Sequence, residues 1–66
     1  MTPKFKVTLT EKFDKFFMVI ENRAGRKWVS KHGEYDLGNA GESAMIVEEI
    51  INGGVKLNMN NWTEVQ

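Results

Sequence analysis

The sequence predicts an α+β fold: a three-stranded antiparallel β-meander, one amphipathic helix packed on one sheet face, and a closing C-terminal strand, in the order β-β-β-α-β. Three patterns carry that prediction. Phe5, Val7 and Leu9 alternate with Lys6, Thr8 and Thr10, which is the period of a half-buried strand. Ala44, Ile46, Val47, Ile50 and Ile51 recur at helical spacing. Val55, Leu57 and Met59 alternate with Lys56, Asn58 and Asn60, so a strand closes the chain.

The first strand runs over residues 4–10, and residues 11–14 form a short polar turn that contains Phe13. Residues 15–22 admit two readings. Phe13, Phe16, Phe17, Ile20 and Ala24 fit helical spacing, with Gly25 as a stop. The run Phe16-Phe17-Met18-Val19-Ile20 is aromatic and β-branched, which suits a strand covered on both faces. The next residues decide for the strand. Arg23-Ala24-Gly25 is a three-residue hairpin loop with glycine where a left-handed backbone is needed, and residues 26–31 carry Trp28 and Val29 into a third strand. Residues 32–38 connect onward and tuck Tyr35 and Leu37 inward. Asn39 caps the helix, with Glu42 as its capping-box partner. The wheel sets Ala44, Ile46, Val47, Ile50 and Ile51 on one side and Glu42, Glu48, Glu49 and Asn52 on the other. Gly53-Gly54 ends the helix, and Trp62 and Val65 anchor the tail.

A chain of 66 residues holds one domain, residues 1–66. A domain this small buries only about 60% of its unfolded surface, so burial against a partner or a second copy is a route to stability. There is no cysteine, which excludes disulfides and thiolate metal sites. A lone His32 builds no zinc site. No apolar run is long enough to cross a membrane, and Met1-Thr2-Pro3-Lys4 lacks the pattern of a signal peptide. Together these point to a cytoplasmic protein. Net charge is zero, but residues 1–32 carry +5 and residues 33–66 carry −5. Such a split is a partner signal, unless folding mixes the halves in space.

The chain offers little to catalysis. Ser30 and Ser43 lie in no nucleophile motif, and Glu48 and Glu49 diverge by about 100° on a helix, so they form no catalytic pair. Gly33 and Gly38 are too sparse to cradle a phosphate. The sequence therefore predicts no enzyme, no metal, no cofactor and no small-molecule substrate.

Two surfaces stand out instead. One helix covers only one sheet face, so Phe17 and Val19 face away from it; either Tyr35, Leu37 or Trp62 folds over them, or they meet a partner. The hairpin carries Arg23, Arg26, Lys27, Trp28 and Lys31 without an acid, a mixture that can hold phosphates and stack a base. The acidic helix face of Glu42, Glu48 and Glu49 suits a basic partner, or is an ordinary solvated face. The stretch Gly33-Glu34-Tyr35-Asp36 leading to Glu42-Ser43-Ala44 is loosely similar to the sheet-to-helix junction of integrase arm-binding and plant ethylene-response-type DNA-binding domains. That resemblance concerns element order and transfers no functional residue. The expectation is a small accessory or inhibitory module that docks on a larger protein or on itself as a homodimer. The alternative is nucleic-acid binding through the basic hairpin.

Overall fold

The structure is a computed structural model that describes residues 4–65. Met1, Thr2 and Pro3, on which the reading of the chain start rests, lie outside the described residues. The elements are β1 (Phe5–Lys12), β2 (Lys15–Asn22), β3 (Lys27–Ser30), α1 (Leu37–Asn52), a 3-10 turn (Met59–Asn61) and β4 (Trp62–Val65). All strand pairs are antiparallel, and the sheet order β1-β2-β3-β4 follows the chain. The α+β class and the element order are those the sequence predicts.

The residues 15–22 segment is a strand, paired with β1 along its whole length from Phe5 opposite Asn22 to Lys12 opposite Lys15. The β2–β3 loop has the anticipated three residues. Gly25 donates its N–H to the Asn22 carbonyl at 3.1 Å, and Asn22 donates to the Arg26 carbonyl at 3.0 Å. Gly25 sits at φ +88°, the left-handed position that completes a type I turn with its bulge. The β1–β2 connection is tighter than the sequence suggests. Phe13 and Asp14 alone make it, at φ 53° and 62°, which is a type I′ turn. Asp tolerates that backbone; a bulky Phe resists it, and the Phe13 side chain is 89% exposed.

Two helix expectations need correction. The cap is Asp36, not Asn39: its carboxylate accepts the Asn39 N–H at 3.1 Å, and the helix opens at Leu37. Aspartate three residues ahead of Asn39 satisfies the free first-turn donor, so Asn39 becomes the donor rather than the cap. The buried line is Ala40, Ala44 and Ile51, with Val47 partly buried, while Ile46 and Ile50 are 53% and 42% exposed. The helix is rolled toward β1 because Glu48 and Asn52, expected on the solvent side, are spent on that strand. Asn52 accepts the Phe5 N–H at 2.9 Å and donates to the Phe5 carbonyl at 3.1 Å, and Glu48 accepts the Val7 N–H at 2.9 Å. The Asn52 carboxamide thus stands in for the peptide group of a missing neighbour strand. At the far end Val55 donates to Ile50 and Gly54 to Ile51, a Schellman closure with Gly54 at φ +98°.

The closing strand lies later than the alternation of residues 55–59 indicates. Those residues cross from the helix end to the sheet, with Leu57 packed on the core. Asn58 then nucleates the 3-10 turn by accepting the Asn60 N–H on its side chain. Only at Trp62 does the chain reach β3, opposite Ser30. The core is Ile20, Trp28, Ile51 and Trp62, with Phe5, Val7, Met18, Val47 and Leu57 packed against it. Ile20 has no exposure, and burying it stabilises the fold by about 1.5–3 kcal/mol.

Asn52→Ala removes a donor and an acceptor from β1 at once; a loss of about 1–3 kcal/mol is expected in urea denaturation. Replacing Phe13-Asp14 by Asn-Gly should raise stability in the same assay by about 1–2 kcal/mol, because the type I′ backbone is then unstrained.

Candidate functional site

Side chains on a strand alternate between faces, so the buried Ile20, Trp28 and Trp62 define the helix side and their neighbours the other. The register then builds the open face row by row. Lys6, Glu21, Lys27 and Val65 share one row; Thr8, Val19, Val29 and Thr63 share the next. Thr10 lies beside Phe17, and Lys12 beside Lys15 at the turn. The result is a short apolar strip, Phe17, Val19 and Val29, framed by Lys6, Lys12, Lys15 and Lys27. A shallow concavity of about 420 Å³ lies here, lined by Thr10, Lys12, Phe17, Val19, Lys27 and Val29.

Of the residues singled out in the sequence, the structure brings Phe17, Val19 and Lys27 together on this face. Phe17 and Val19 are half-buried. The cover over Phe17 comes from Gly33: a Cβ there would stand 2.9 Å from Phe17 Cζ and 2.8 Å from Lys15 Cβ. Only glycine lets the loop cross so closely. The loop is held there by Glu34, which exchanges backbone hydrogen bonds with Phe16 at 2.7 and 2.9 Å. Of the side chains expected to fold over the strip, Trp62 is in the core, Leu37 opens the helix, and Tyr35 lies under the Lys15 ammonium, 5.0 Å from its ring centroid.

The other hairpin residues do not join the strip. Trp28 is 9% exposed, faces the helix and belongs to the core, so it is no stacking platform. Its indole N–H is buried and has no hydrogen-bond partner among the described residues. Arg26 is committed internally. Its Nε and Nη2 donate to the two Glu64 carboxylate oxygens at 2.8 Å each, and its guanidinium lies 5.2 Å from the centroid of the Trp28 ring. Arg23 is exposed in the hairpin loop and Lys31 is exposed just past β3. The acidic helix face is also reduced, because Glu48 is bonded to β1; Glu42 and Glu49 stay exposed. The charge halves meet at the Arg26–Glu64 pair; apart from it, the lysines of the open face and the exposed Glu42 and Glu49 of the helix stand on opposite sides of the sheet.

The polar residues near Ser30 are occupied structurally. Its hydroxyl accepts the Met18 N–H at 3.0 Å and donates to the His32 carbonyl at 3.1 Å. Among the described residues no group of three or more His, Asp or Glu side chains could hold a metal ion, and no helix is long and apolar enough to cross a membrane. No family model matches the chain, no curated protein matches it, and no solved structure matches it.

The hydrogen bond from Arg26, reinforced by its charge, holds the Glu64 carboxyl below the usual carboxylate range; the same bond raises Arg26. A depressed carboxylate contributes stability above the ordinary glutamate range and loses it as pH falls through the lowered value. The pair is exposed, so salt screens it and its contribution is small. A carboxyl-carbon NMR titration should find Glu64 lowered, and Arg26→Ala should raise it by removing the hydrogen bond and the charge.

Proposed function

We propose that the chain is a non-enzymatic binding module that docks through its open sheet face on an acidic surface of a larger protein. One observation carries the reading: the single helix covers one face, and the other sets Phe17, Val19 and Val29 among Lys6, Lys12, Lys15 and Lys27. An apolar strip with a cationic frame fits a partner patch of the opposite pattern, in which apolar contact gives affinity and charge gives orientation and rate. Aliphatic Val19 and Val29 favour a protein over a stacked base, and Trp28, the aromatic on which base stacking depended, is inside, whereas the exposed Phe13 ring beside Lys12 suits a base. The side chains of Ser30, Glu48 and Asn52 are spent on backbone groups.

The lysines themselves favour a second reading, nucleic acid held by its phosphates on this same face rather than on the hairpin tip. That reading predicts an affinity that falls steeply with salt.

Both are tested by affinity capture with the immobilised chain at low and high salt, with nuclease added to one arm. The expected result is an acidic protein retained by the wild type with or without nuclease. Lys12→Glu with Lys27→Glu should weaken its capture by at least about tenfold, with an unchanged melting curve. Val19→Asp should do the same if the fold survives. Loss of the captured material on nuclease treatment selects the nucleic-acid reading. Capture that survives the charge reversal overturns the open face as the docking surface.

A further inference from the structure

We infer that the outer edge of β1 at Leu9 and Glu11 is a strand-addition site for an extended segment of another protein, one that sets an apolar residue between basic ones. The site is separate from the open face. β1 is an edge strand, and its outward N–H groups alternate along the chain. Those of Phe5 and Val7 are taken by Asn52 and Glu48. By the same alternation Leu9 and Glu11 point outward too, and among the described residues no side chain bonds to them. The reason is legible in the helix. Asn52, Glu48, Met45 and Gly41 follow one another on the flank above β1, and the last two bring no hydrogen-bonding atom. The edge is closed where the helix supplies amide and carboxylate, and open where it supplies methionine and glycine.

A groove of about 630 Å³ lies between β1 and the helix; it starts at Val7 and Glu48, where the edge is bonded, and reaches Leu9, where Leu37, Gly41, Ala44 and Met45 wall it. Leu37 and Met45 are exposed. Gly41 is not required by packing, since a Cβ on it would meet nothing within 4 Å. A glycine inside a helix weakens it, and here its effect is to keep the groove free. An added strand would pair its backbone with Leu9 and Glu11 and turn one side chain under the helix into this groove, the alternation of ladder and pocket that strand addition uses.

Charge selects the occupant. Glu42 lines the groove, and Glu11 is exposed on the strand beside it. A Lys or Arg two positions to either side of the apolar residue, and so on the same face of the added strand, answers both. A second copy does not: pairing two β1 edges about Thr10 sets Leu9 against the other copy's Glu11 and brings that carboxylate to Glu42 and Glu48.

The test uses the whole chain, labelled with nitrogen-15, and an acetylated, amidated peptide with the core Lys-Thr-Val-Thr-Lys, which sets both lysines on the same face as the valine. Saturable shifts centred on Leu9 and Glu11, with slowed exchange of those two amides, are expected. Gly41→Leu fills the groove without touching the core and should remove the shifts while the chain melts no lower. Glu11→Pro deletes one outward N–H and should weaken binding by at least about tenfold, whereas Glu11→Ala, which keeps that N–H, should weaken it less. No saturation at millimolar peptide, or shifts that persist unchanged in Gly41→Leu, overturns the site. The open face is untouched by these changes, so its docking stands or falls separately.

Discussion

The architecture depends on how one helix is fastened to one edge strand. Asn52 makes the same pair of bonds to Phe5 that a neighbouring strand would make, and Glu48 adds Val7. These bonds settle the roll of the helix. With Glu48 and Asn52 turned down to β1, the face that meets the sheet becomes Ala40, Ala44, Val47 and Ile51, and the alanines let the axis come close. Ile46 and Ile50 are carried outward as a consequence. The polar bonds are local, but satisfying an edge strand's backbone outweighs the partial exposure of two isoleucines. An unpaired buried amide costs about 1–3 kcal/mol, and a half-exposed isoleucine forgoes only part of its burial.

Everything else follows from a helix that covers a single face. The core is thin: Ile20, Trp28, Ile51 and Trp62 lie between helix and sheet, and among the described residues no element packs on the sheet's far face. The far face must be made from side chains that survive contact with water. Long lysine stems beside Val19 and Val29 do this, because their methylenes cover apolar surface while the ammonium stays wet. The arrangement that stabilises so small a chain is therefore also the one that presents a cationic frame around an apolar strip. The strained Phe13 turn belongs to the same end of the molecule. Its exposed ring stands beside Lys12 and Thr10, over the concavity of the open face.

Much of the fold was legible because its determinants are local. Alternation placed β1, Gly25 marked the β2–β3 loop, and Gly53-Gly54 marked the helix end. The errors share one cause, which is bonding between residues far apart in the chain. A helical wheel cannot show that Glu48 and Asn52, forty-odd positions from β1, will turn inward. Alternation over residues 55–59 is strand-like, yet the pairing partner of the sheet edge is reached only at Trp62. For the candidate site, Phe17 and Val19 were readable from strand parity, whereas Lys27 stood out only as part of the basic hairpin. The pairing of Arg26 was not readable, since its partner Glu64 lies on a strand the sequence placed elsewhere. Gly33 carried no motif, and only the fold shows that it passes over Phe17.

The two proposed contact surfaces rest on the same fastening: it leaves one sheet face open and, among the described residues, half of one edge unpaired. Native-state amide exchange reads that fastening directly. Phe5 and Val7 should exchange slowly although they lie on an edge strand, while Leu9 and Glu11 exchange fast and Thr8 and Thr10, paired with β2, are protected. Uniform fast exchange at the four outward amides, Phe5 and Val7 included, would contradict the account, because the helix would then not be fixed to β1 as described.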